Sequence, residues 1–101
     1  MAQKNSLIFK CLIEFIGTFV FLSIILTTGQ ALPIGIALMA AIYWGGSVSG
    51  GNFNPAVSFM MVLNKQMNLT QCLAYVVSQL LGGAMAFYYF KNTPKSLVAK
   101  R

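Results

Sequence analysis

Ser49-Gly50-Gly51-Asn52-Phe53-Asn54-Pro55-Ala56-Val57-Ser58 is a polar, glycine-rich run set between hydrophobic segments long enough to cross a membrane. A turn of this kind at membrane depth is costly unless it lines a water-filled cavity or is buried in protein. Asn-Pro-Ala at the head of an apolar run also reads as a helix start. Asn54 suits the N-cap, its side-chain oxygen accepting from the Ala56 or Val57 N–H, and Pro55 suits the first helical position, where no N–H is required. Capping uses the oxygen of Asn54 and leaves its amide NH₂ free to donate. The sequence therefore predicts a hydrogen-bond donor at the positive end of a short helix, inside a membrane.

Composition agrees. Of 101 residues 57% are hydrophobic and 8% charged, with a mean hydropathy of +0.74, which argues against a soluble globular fold. Seven basic residues against one acidic give a net charge of +6. They lie outside the apolar segments rather than on one face, so they read as membrane-flanking anchors and not as a nucleic-acid surface. Lys10 and Glu14 interrupt the first apolar stretch and no small-residue cleavage site follows, so no secretory signal peptide is expected. Cys11 and Cys72 fall in predicted membrane helices and are expected to be free, packed thiols. With no His, one acid and no phosphate- or metal-binding pattern, neither enzyme chemistry nor a cofactor or metal is expected.

Three spans emerge: a polar N-terminus over 1–10, a helix over 11–28, and a second over 31–46 with Pro33 in its opening turn. The glycines at 45, 46, 50 and 51 are expected to unwind the chain into a re-entrant segment, 47–63. Its helix from Pro55 to Leu63 is about 13 Å long, roughly half the hydrocarbon thickness. The third span covers 69–90, with Asn68 and Gln71 forming a capping box. It ends in the aromatic belt Phe87-Tyr88-Tyr89-Phe90, ahead of a basic tail over 91–101. Asn68-Leu69-Thr70 matches a glycosylation acceptor by coincidence, at a helix start near the membrane. Ala37, Ala41 and Gly45, and likewise Ala74, Ser78, Gly82 and Ala86, recur every fourth position as stripes for close helix approach. Glu14, a carboxylate about one turn inside the first span, is expensive there unless paired. From the residues alone it is either a snorkelling partner of Lys10 or a proton-coupling acid.

Gly51-Asn52-Phe53-Asn54-Pro55-Ala56-Val57-Ser58 resembles the first Asn-Pro-Ala loop of the aquaporin/glycerol-facilitator (major intrinsic protein) channels. Glu14-Phe15-Ile16-Gly17-Thr18 resembles that family's first helix, and Ala74-Tyr75-Val76-Val77-Ser78-Gln79-Leu80-Leu81-Gly82-Gly83 its third, so the likeness runs in order through nearly the whole chain. The resemblance implies an all-α membrane protein of three transmembrane helices and one re-entrant half-helix, half of an inverted repeat. It implies a pore lined by Asn54, Pro55 and Ala56 and by the carbonyls of Gly50, Gly51 and Asn52, with Val57 and Ile34 near the constrictions. It gives Glu14 a third role, accepting hydrogen bonds that brace the loop, with Gln79 alongside. Asn52 stands where many members have His, Ile34 where an aromatic is frequent, and Val57 where the family's second motif carries Arg. An uncharged, wider constriction is therefore expected, passing small polyols alongside water.

The family has two such halves and this sequence has one, too little to enclose a channel. An antiparallel homodimer would restore the architecture. Lys4, Lys10 and Lys65 fall on one side of the membrane and Lys91, Lys95, Lys100 and Arg101 on the other, so positive charge favours neither orientation strongly. The expected function is a multi-pass channel of the cell membrane for water or small neutral solutes such as glycerol. Its expected partners are the lipid bilayer and either a copy of itself or a complementary half-channel. The alternatives are a non-conducting half-channel remnant or modifying subunit, and a small dual-topology transporter using Glu14.

Overall fold

A computed structural model describes residues 5–98, in which all regular structure is helical. Helix α1 spans Leu7–Thr28, α2 Ala31–Ser49, α3 Pro55–Leu63 and α4 Leu69–Lys91, followed by a single 3-10 turn at Lys95–Leu97. Lys4, Lys100 and Arg101 of the charge argument lie outside the described residues. Helices α1 and α4, of 22 and 23 residues, rise about 33 and 34 Å, enough to cross the roughly 30 Å hydrocarbon layer. The nine residues of α3 reach less than half of it, about 13 Å.

Two boundaries differ from the sequence reading. Helix α1 begins at Leu7, not at residue 11, because Ser6 caps it, its hydroxyl accepting from Phe9 N–H at 3.1 Å. Lys10 therefore sits inside the helix. Helix α2 continues through Gly45 and Gly46 to Ser49 and unwinds only at Gly50. Gly45 is needed for contact, not for unwinding: a Cβ there would come 2.5 Å from Ile13 Cγ2.

Helix α1 packs on both α2 and α4, and α3 packs on α4. On α2 the small residues Ala37, Ala41 and Gly45 are buried, as a close-approach stripe requires. The buried face of α4 is Cys72, Tyr75, Gln79, Gly82 and Ala86, so Ala74 and Ser78 of the expected stripe sit beside the contact. Gly82 makes the closest approach, where a Cβ would lie 2.7 Å from the Phe15 carbonyl oxygen. The α4 contact face thus divides, with Tyr75 and Gln79 turned to the loop in its first half and small residues against α1 in its second. The capping box at Asn68 and Gln71 is formed in both directions, at 2.8 and 3.1 Å. Elsewhere the helices carry many exposed large apolar side chains, including Leu32, Tyr43, Phe59, Leu63, Leu69 and Leu80. Such a surface suits lipid or another membrane helix, not water.

Candidate functional site

The loop between α2 and α3 reverses the chain with three left-handed residues in four. Gly50 and Gly51 have φ of 93° and 66°, conformations open to glycine at no steric cost. Phe53 adopts φ of 53°, an outlier for a bulky residue that costs about 1–2 kcal/mol. Asn54 then returns to extended backbone and caps α3, its Oδ1 accepting from the Ala56 N–H at 2.8 Å with Pro55 at the first position. Among the described residues the Asn54 NH₂ has no protein partner, and Asn54, Pro55 and Ala56 are all exposed.

Beneath this tip lies a hydrogen-bond network centred on Glu14, which is 0% exposed. Its Oε2 accepts from the Ser49 hydroxyl at 2.7 Å and the Asn52 N–H at 3.0 Å. Its Oε1 accepts from the Phe53 N–H at 2.7 Å and Gln79 Nε2 at 2.9 Å. Four donors match the roughly four acceptor sites of a carboxylate, which is how an acid becomes tolerable at membrane depth. None of these partners is Lys10, so Glu14 is not the snorkelling surface acid of the pairwise reading. Two of the donors are loop backbone groups that would otherwise be buried without partners.

Ser58, also 0% exposed, extends the network. Its hydroxyl accepts from Asn52 Nδ2 and from Gln79 Nε2, each at 2.9 Å. Tyr75 donates its hydroxyl to the Ser49 carbonyl at 2.5 Å, tying α4 to the end of α2, and the Gly51 N–H donates to the Ser49 hydroxyl at 3.1 Å. The Asn52 amide is thus spent inside the network, and Asn52 is buried. It is less available to a passing molecule than the exposed Asn54 amide. Ser49, Phe53, Ser58 and Tyr75 were not singled out from the sequence. The usable signal is small: hydroxyls at 49 and 58 bracket the loop in an otherwise apolar chain.

Depth follows from the partners. Glu14 lies about 10 Å into α1 and Gln79 about 15 Å into α4. The loop they hold is therefore near mid-membrane, and α3 ends toward the start of α1, its C-cap Asn64 lining the same hollow as Lys10. Beside the loop is a hollow of about 450 Å³ whose lining includes Lys10, Ser49, Gly50, Asn52, Asn64 and Tyr75. A larger hollow, about 600 Å³, lies between α1 and α2 among residues such as Ile24, Leu32 and Trp44. Its lining is apolar, so the smaller one is the better candidate for water. Val57 is half-buried in the first turn of α3. Ile34 stands in the first turn of α2, about 24 Å of helix away from Gly50, so the structure does not bring it to the loop.

Three membrane-length helices with a capped half-helix starting at mid-depth define a multi-pass membrane protein with a re-entrant loop. The profile of one family, Major intrinsic protein, matches residues 1–100, and the chain belongs to that family. It is similar to the glycerol uptake facilitator protein-like 6 of Lactiplantibacillus plantarum, with 38% identity over 97 residues, 87% of this chain and 45% of that protein. It is also similar to aquaporin PIP1-2 of Musa acuminata, with 33% identity over 101 residues (83% and 39%). The glycerol uptake facilitator protein of Buchnera aphidicola is 32% identical over 107 residues (89% and 41%). The chain spans less than half the length of these relatives.

Proposed function

We propose that this chain supplies one half of a passive channel for water and small neutral solutes of the glycerol class, completed by a second, inverted copy. The observation that carries this reading is the exposed Asn54-Pro55-Ala56 tip. It presents an unspent amide donor at the positive end of α3, near mid-membrane, on a loop whose buried N–H groups at Asn52 and Phe53 are held by Glu14. Two such tips facing one another would orient permeating molecules and oppose cations. Relatives named as glycerol uptake facilitators and aquaporins support the solute class. In this reading Glu14 and Gln79 brace the loop, the carbonyls of Gly50 and Gly51 offer acceptors, and Pro55 and Ala56 line the centre. Val57, apolar where an arginine could narrow the passage, favours glycerol alongside water. The near balance of Lys4, Lys10 and Lys65 against Lys91, Lys95, Lys100 and Arg101 supports insertion in both orientations.

The test is swelling of proteoliposomes containing only this chain, under water and glycerol gradients. Both should be conducted without a proton gradient. Removing Lys91 and Lys95 should drive the population to one orientation and reduce flux, with recovery when an oppositely biased copy is added. Full flux from a single orientation would remove the antiparallel assembly, and absence of flux under every condition would remove conduction by this chain alone.

A further inference from the structure

We infer that Phe53 is a positioning residue for Asn54, held by a notch that exists only because Gly17 of α1 has no side chain. The inference rests on the reading of Asn54 as the pore donor and adds what aims it. Phe53 is 2% exposed, and its ring occupies the volume that a side chain at position 17 would fill. A Cβ on Gly17 would lie 2.1 Å from Phe53 Cε1 and 2.6 Å from Cζ. Two more glycines border the ring. A Cβ on Gly45 would lie 3.7 Å from Cζ, and one on Gly51 3.5 Å from Cε2, both ordinary contact distances, so the notch itself belongs to Gly17. Ile13 and Ala41 close the same apolar cluster. One ring therefore joins α1, α2 and the loop.

The notch explains a conformation that has no local cause. A phenylalanine at φ of 53° returns to an ordinary backbone region unless its surroundings over-determine it. Here both ends are fixed: the N–H donates to Glu14 Oε1 at 2.7 Å, and the ring is enclosed between the helices. The next residue inherits the direction. Asn54 starts from the left-handed turn at Phe53, its carbonyl accepts from the Ser58 N–H at 3.1 Å, and its Oδ1 is spent on Ala56. The side-chain NH₂ is left free to donate, and its aim follows the Phe53 turn. Filling the notch should rotate that amide without touching the tip itself.

The experiment uses the full chain with Gly17→Ala, Phe53→Leu and the double substitution. Two readouts are taken: selectivity in vesicles, as glycerol-to-water flux ratio and cation leak, and the Asn54 side-chain amide resonance in lipid bicelles, assigned by its loss in Asn54→Asp. Gly17→Ala should shift or broaden the Asn54 resonance and raise cation leak several-fold relative to water flux. The shorter side chain of the double substitution should return both toward the unmodified chain. A Gly17→Ala protein with unchanged resonance and selectivity overturns the inference, as does a double substitution worse than either single one. If Gly17→Ala does not accumulate folded, Phe53→Ala carries the same expectation, and an unmoved resonance there overturns it equally. The two readouts keep the claims apart. Vesicles that never conduct, with a resonance that moves and is rescued, refute the pore reading and support the notch. Vesicles that conduct and leak with Asn54→Asp, but ignore Gly17→Ala, refute the notch and support the pore.

Discussion

Asn52 and Phe53 on one side and Asn54, Pro55 and Ala56 on the other are neighbours in sequence and opposites in environment. The first two are buried, and their backbone donors end on Glu14. The next three are exposed, and the Asn54 NH₂ ends on nothing within the described residues. Two asparagines two residues apart thus do different work: Asn52 spends its amide on Ser58, and Asn54 keeps its amide for what lies outside. Fold stability should reside in the first group and conduction in the second.

The largest effect on stability should follow from Glu14→Ala. It orphans the Asn52 and Phe53 N–H groups and leaves the Ser49 hydroxyl and Gln79 Nε2 with only their second acceptors, the Gly45 carbonyl and Ser58 Oγ, and each orphaned buried donor costs about 1–3 kcal/mol. The expected outcome is failure to accumulate as folded protein, read by thermal aggregation in detergent. Ser58→Ala removes one shared acceptor from Asn52 and Gln79. It should cost less, about 1–3 kcal/mol, while leaving the tip chemically intact. If Glu14→Ala were as stable as the unmodified chain, the division between a bracing side and a working side would collapse.

A smaller contrast tests the helix contacts that carry the loop. Gly82→Ala places a Cβ 2.7 Å from the Phe15 carbonyl and should destabilise by about 1–3 kcal/mol through overpacking. Gly35→Ala meets nothing within 4 Å and should stabilise α2 by about 0.5–1 kcal/mol. Melting temperatures of the two in the same detergent should therefore move in opposite directions. A loss of stability in Gly35→Ala would mean that this face of α2 is covered by another helix.

How much of this is legible in the sequence depends on the range of the interaction. Asn54 and Pro55 spell out a helix start in adjacent residues, and Asn68 with Gln71 spell out another, because caps are local. The extent of α2 is misjudged for the opposite reason. Gly45 looks like a breaker until Ile13 of α1 is seen against it, and helix propensity gives way to contact. Glu14 is conspicuous as the lone acid, but its partners are spread over three other segments, and the residues alone leave its role open. Phe53 carries no sequence signal for a left-handed turn. Its conformation follows from a notch that Gly17 leaves on α1. Ser58 hides because a serine on a short helix usually needs no explanation.

Asn54→Asp separates the two regions most sharply. The substitution keeps the cap, since Asp and Asn cap about equally well, and away from the Glu14 network its effect on stability should stay within about 0.5 kcal/mol. It also replaces the free side-chain donor at the tip with negative charge. Osmotic water permeability and cation leak should be measured in the same vesicles, against Asn54 protein matched for amount and melting temperature. The expected result is an equally stable protein with reduced water flux and raised cation leak. Unchanged flux and leak, in a protein just as stable, would contradict the placement of Asn54 in a pore.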